Sequence, residues 1–129
     1  MERVPINPWT WQDPYGFAQA WKVSGAQSLI FVSGQASISP EGRVLHEGDI
    51  RAQVRLAFEN LRTVLEKAGA SLDDVVKLGA FLVDREHVPP YVEVHSEFFA
   101  GRKPAQTLVQ VASLALPGML AEVEALAVR

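Results

Sequence analysis

From Asp49 to Gly69 apolar residues return every three or four positions (Ile50, Val54, Ala57, Phe58, Leu61, Val64, Leu65 and Ala68), and Arg51, Arg55, Glu59, Arg62 and Glu66 fall outside them. A period of about 3.6 residues gathers that spacing into one stripe, which predicts an amphipathic helix. Asp49 can cap the first turn by accepting a backbone N–H, and Gly69 supplies a permissive residue just past the end. A second, shorter helix is expected to open at Pro89-Pro90, where missing donors cost least, and to run to Gly101. Tyr91, Val94, His95, Phe98 and Phe99 share one of its sides.

The remaining apolar runs predict strands at about Ala18 to Val23, Leu29 to Gly34, Val75 to Asp84, Thr107 to Ala112 and Ala121 to Val128. A further short strand or turn is expected near Gln35 to Leu45, with Pro40-Glu-Gly-Arg43 as a hairpin loop, because proline presets a turn dihedral and glycine tolerates positive φ. No repeat, linker or low-complexity segment interrupts the order. Strands, helix, strand, helix, strand, strand suggests an α+β domain with both helices on one face of a mixed sheet. The opposite face then lacks a cover. Leu29-Ile-Phe-Val32 and Leu78-Gly-Ala-Phe-Leu-Val83 are apolar on both alternations, so that face is expected to pack on another subunit.

Composition narrows the class. With 129 residues, 48% of them hydrophobic, the chain suits one domain over residues 1–129, residues 1–16 forming an aromatic N-terminal extension. The absence of cysteine excludes a disulfide framework, a thiolate metal site and a cysteine nucleophile, and makes the cytoplasm the expected location. No signal-like segment and no membrane-length apolar run is found. A net charge of −3 and a pI near 5.6, with scattered basic residues, oppose a dedicated nucleic-acid binder. Small-molecule or protein partners are favoured.

Several stretches together resemble the RidA (YjgF) family: Gly16-Phe-Ala-Gln-Ala20, Phe31-Val-Ser-Gly-Gln35, Gly48-Asp-Ile50, Ala68 to Lys77, Glu97-Phe-Phe99, Phe98 to Ala112 and Glu122 to Ala127. They run in the family's order over roughly residues 15 to 129. The resemblance implies a chorismate-mutase-like α+β fold and a homotrimer whose sheets line a central β-barrel, with ligand clefts between neighbouring subunits. It also implies hydrolysis of reactive enamines and imines of the 2-aminoacrylate type, without metal or cofactor.

Against that family pattern, Gln106 stands where an arginine would bind the substrate carboxylate. A neutral amide offers neither the charge nor the two-pronged fit of a guanidinium, at a cost on the order of 1.5–3 kcal/mol. Phe17 and His95 replace usual tyrosines and Leu108 a frequent cysteine, so the cleft is re-lined. The resemblance makes Glu122 the acid that positions or deprotonates water, and makes Gly34, with its neighbour Ser33, a cleft residue. A bare Ser-Gly-Gln is otherwise a bulge or turn. Glu124 shares the face of Glu122 on an extended strand. His46, His87 and His95 lack metal-ligand spacing. His95 also reads as a hydrogen-bonded packing residue rather than a base, Lys77 as a solvated charge rather than a reactive amine, and Trp9 and Trp11 as covers of a sheet edge, a subunit seam or the cleft. The expected function is a deaminase-related trimer with altered recognition; the rivals are a non-catalytic metabolite-binding or protein-interacting trimer and, ranked lower, a ribonuclease.

Overall fold

The Asp49 side chain accepts from the Ala52 N–H at 3.0 Å and starts α1, Ile50–Lys67, as its chemistry predicts. At the other end Gly69, with φ of 80°, lets the Ala70 N–H return to the Leu65 carbonyl at 2.8 Å and the Gly69 N–H to the Glu66 carbonyl at 3.0 Å. This pair of bonds closes the helix C-terminus. Val54, Ala57, Phe58, Leu61 and Leu65 are buried as the stripe requires, whereas Val64 is left partly in solvent and Gln53 is buried. Gln53 is satisfied there by the carbonyls of His46 and Gly118 and the Leu120 N–H, at 3.2, 2.8 and 2.8 Å. It pins two loops to the helix, which is why a polar residue sits on the core side.

The computed structural model describes residues 1–129. It contains strands β1 Glu2–Ile6, β2 Ala20–Ser24, β3 Leu29–Ala36, β4 Val75–Leu82, β5 Ala105–Gln110 and β6 Ala121–Val128, with α2 at Val88–Phe98. Strands β1 and β2 form an antiparallel pair, and the other four form a mixed sheet of order β3-β6-β4-β5 in which only β4 and β5 run parallel. The α+β prediction with a mixed sheet and two helices holds. The β6 bounds match residue for residue; α2 opens one residue before the proline pair and ends at Phe98, and β5 starts two residues early. Residues 2–6 differ from the expected extension because Glu2-Arg-Val-Pro-Ile6 carries a proline and charges, a poor strand signal rescued by pairing with β2. Pro40 to Arg43 is a hairpin loop, with Ser39 N–H on the Arg43 carbonyl at 2.8 Å and Gly42 at φ of 84°.

Helix α1 lies over β3 and β6, and α2 packs beside it toward β5. Val32, Leu78, Ala80, Leu82, Ala121, Val123, Ala125 and Ala127 point into this covered face and join the α1 residues, Tyr91 and Val94 in one core. The alternate residues of the same strands have no such cover. Phe31 is 76% exposed and Leu29 58%, and Val109 also faces outward. Asp74 ties the margin together: Arg3 donates to its Oδ1 at 2.9 Å, and Arg129 and the Ser71 N–H donate to its Oδ2 at 3.2 and 2.9 Å. Burial opposes ionisation of Asp74, but the Arg3 hydrogen bond, the Ser71 amide and the two guanidinium charges outweigh it and hold the carboxyl below its usual range.

Candidate functional site

The predicted site residues separate into two groups because side chains alternate across a strand. In β5, Gln106 pairs with buried Leu78 and Leu108 with buried Ala80, so both point to the helix side of the sheet. They line a cavity of about 390 Å³ at the sheet edge, together with Phe17, Trp11 and Tyr15 from the N-terminal segment and Val88 and Val92 from α2. Trp11 and Phe17 meet edge to face with ring centroids 5.9 Å apart. Tyr91, fully buried in α2, donates its hydroxyl to Gln106 Oε1 at 2.5 Å. Burial pushes the Tyr91 phenol well above its usual range, so it stays a donor. That bond fixes the orientation of the amide, and Gln106 offers its NH2 end as a donor.

Glu122 lies on the other face. Its neighbours Ala121 and Val123 are in the core, and it sits opposite Phe81, an open-face residue. Gly34 lies beneath the Glu122 side chain: a Cβ added there would overlap Oε1 and come within 2.7 Å of Cδ. Close approach of the carboxylate, rather than an unusual dihedral, is what glycine permits here. Ser33 and Gly34 fall where the β3 register on β6 slips between Val32 and Gln35, so the bulge is real and re-aims the strand under the carboxylate. Glu124 repeats the arrangement over Gly79, and a Cβ there would lie 3.0 Å from Glu124 Cγ. A larger concavity of about 520 Å³ covers this open face, lined by Phe31, Ser33, Lys77, Phe81, Thr107 and Glu124. Lys77 donates to Thr107 Oγ1 at 2.9 Å, an ordinary exposed polar contact. Of the predicted residues this concavity holds only Ser33, so size alone does not make it the ligand site.

His95 belongs to neither group. It is 1% exposed and stacks on Phe99 at 4.9 Å, with Tyr91 and Phe58 rings at 5.8 and 6.0 Å. Neither ring nitrogen has a hydrogen-bond partner, and burial lowers its pKa to about 4. It is a core packing residue beneath the cavity, and it lines neither concavity, because its helix position faces Phe58 rather than the sheet edge. No three His, Asp or Glu side chains converge as metal ligands. Trp9 lines none of the larger cavities, whereas Trp11 walls the one holding Gln106.

Arg85 and Gln110, two polar residues not singled out from the sequence, also line this cavity. Gln110 was accessible to strand periodicity, since positions 106, 108 and 110 share a face. Arg85 was not, because it sits in a short turn after β4 and reaches the cavity only through the way that turn packs on Gln110.

The family model for endoribonuclease L-PSP matches residues 14–129. A RutC family protein of Pyrococcus abyssi is 42% identical over 123 residues, covering 95% of this chain and 87% of that protein. The crystal structure of YyfB, of the conserved Rid protein family, from Yersinia pestis agrees with a TM-score of 0.88 at 30% identity and covers 100% of both chains. The E. coli protein TdcF, crystallised with bound serine, agrees with a TM-score of 0.72 at 32% identity over 88% of this chain and 87% of that one. No helix is long and apolar enough to cross a membrane.

Proposed function

Because this chain belongs to the endoribonuclease L-PSP family, the group of the RidA/YjgF and RutC proteins, we propose that it is a cytoplasmic homotrimer handling small molecules in clefts between subunits. One observation carries this reading: Gln106 and Glu122 lie on opposite faces of the same sheet. A single chain cannot present them to one molecule, but a neighbour whose open face abuts the β5 edge can. The exposed Phe31 and Leu29 supply the apolar surface such a neighbour would bury.

The chemistry that suits this composite cleft is hydrolysis of an enamine or imine. With an enamine first tautomerised to its imine by protonation on carbon, Glu122 would take a proton from water as the oxygen attacks the imine carbon and pass it to the nitrogen; the proton of the resulting carbinolamine hydroxyl would follow through the same carboxylate as the C–N bond breaks, so that ammonia leaves and the carbonyl forms. Gly34 lets the carboxylate lie flat against the strand. TdcF was crystallised with serine, which suits a cleft scaled to amino-acid-sized ligands. The altered element is Gln106, whose Oε1 already accepts from the Tyr91 hydroxyl, in place of the family's usual arginine. That feature favours the rival reading, a trimer that binds a metabolite without converting it. RNA cleavage is disfavoured by the net charge of −3.

Ammonia and keto-acid release from freshly generated 2-aminoacrylate tests the reading, alongside the sedimenting mass. A trimer with turnover that vanishes in Glu122→Ala upholds it. A trimer with no turnover above buffer is the non-catalytic binder, and rescue by Gln106→Arg would place the loss at that residue. A monomer overturns both.

A further inference from the structure

The polar side chains around the Gln106 cavity are rich in donors. Gln106 Oε1 is occupied by the Tyr91 hydroxyl at 2.5 Å, and Gln110 Oε1 by the Arg85 backbone N–H at 3.0 Å. Each amide thus turns its NH2 end outward. The remaining lining residues with polar groups on their side chains are Arg85, Trp11 and Tyr15, the last able to accept as well as donate; no aspartate or glutamate of the same chain contributes. Arg85 enters none of the chain's ion pairs and its side chain makes no hydrogen bond within the chain. Its acidic neighbour Asp84 is engaged in its own turn, accepting from the Glu86 N–H at 2.8 Å. The other walls are apolar: Trp11, Phe17, Leu82, Val88, Val92 and Leu108.

A donor-rich polar set with one unpaired cation, against apolar walls, selects an anion with an apolar body. Both glutamine oxygens are held by intramolecular bonds, so the preference is built before any ligand arrives. The volume of about 390 Å³ lies in the range of about 300–1,000 Å³ typical of sites for larger molecules. A three-carbon acid would leave most of the apolar wall unfilled, whereas a ring would cover it and stack against Trp11 and Phe17.

We propose that the Gln106 cavity binds monocarboxylates bearing an aromatic or comparably bulky apolar group, with Arg85 as the carboxylate's cation and Gln106 and Gln110 as amide donors beside it. The anion handle is thereby moved from the β5 strand to the turn after β4. This rests on the proposed function only in taking the cavity as the ligand half of the cleft; it requires no turnover.

Calorimetric titration of the intact protein with phenylpyruvate, pyruvate and phenylacetone tests it, the last being the methyl ketone that lacks the carboxylate. Phenylpyruvate should bind at least about 10-fold more tightly than either of the others, since a charge-assisted bond and a buried ring each contribute about a decade. Arg85→Gln, an exposed substitution that keeps the backbone N–H, should bring phenylpyruvate down to the affinity of phenylacetone. Arg85→Lys should recover part of the loss and make it more sensitive to salt. Equal affinity for acid and ketone, or phenylpyruvate affinity unchanged in Arg85→Gln, overturns the proposal even if the protein is an active deaminase. Selective binding without any turnover leaves the proposal standing and removes the deaminase reading.

Discussion

The two faces of the four-stranded sheet are built from alternate residues of the same strands and have opposite characters. The face under α1 and α2 is finished within one chain: its side chains are apolar, mutually packed and closed to water. The other face carries Glu122 and Glu124 laid over Gly34 and Gly79, the Lys77 ammonium on Thr107, and Phe31 standing in solvent. A period of two lets one strand serve stability with one set of alternate positions and chemistry or assembly with the other. The covered face should therefore respond to mutation as stability, and the open face as association and turnover.

The sharpest contrast sets Phe58→Ala against Phe31→Ser. Phe58 touches Tyr91, His95, Phe98 and Phe99, and its truncation should cost about 3–5 kcal/mol of unfolding free energy in a urea titration. Phe31→Ser should keep the circular dichroism of the parent and shift the sedimenting species toward the monomer. If instead Phe31→Ser unfolds the chain, the open face is part of the core and the contrast fails.

His95 gives the covered face a pH dependence. Its folded pKa of about 4 lies below the ordinary 6.5, so the unfolded chain binds the proton more readily. Stability is complete above 6.5 and lost as pH falls toward 4, by a total of about 3 kcal/mol, of which about 2 is gone by pH 5. His95→Phe keeps the ring and removes both unpartnered nitrogens, so its urea midpoints at pH 5 and pH 7 should differ less than the parent's. An undiminished difference would place the titration elsewhere.

The Asp74 margin should respond in a narrower and more acidic window. Its depressed carboxyl contributes stability above the unfolded value near 3.8, and this is lost as pH falls through the folded pKa. Asp74→Asn leaves Arg3 without its carboxylate and should cost about 2 kcal/mol at neutral pH. The deficit relative to the parent should shrink in acid, where the parent also loses the charge.

Gly34→Ala should produce the smallest change in stability, within about 1 kcal/mol, because the clash is with the movable end of Glu122. Its effect should fall on 2-aminoacrylate turnover. Normal turnover in a folded Gly34→Ala protein would detach the carboxylate's position from catalysis.

The sequence by itself determined the elements and their class. Spacing at 3.6 residues delivered α1 to within two residues at either end, the Asp49 cap and Gly69 stop included, and strand runs gave β6 in full. Those signals are local, arising from side chains and caps a few residues apart. Only the tertiary structure decided that β1 exists, that Gln53 belongs inside, and that His95 lies in the core without a partner. It also decided that Gln106 spends its oxygen on Tyr91, and that Arg85 joins the cavity while Glu122 does not. Each of these depends on which face a residue takes and which distant element meets it there. Strand registers and loop packing set both, through contacts whose partners lie tens of residues away.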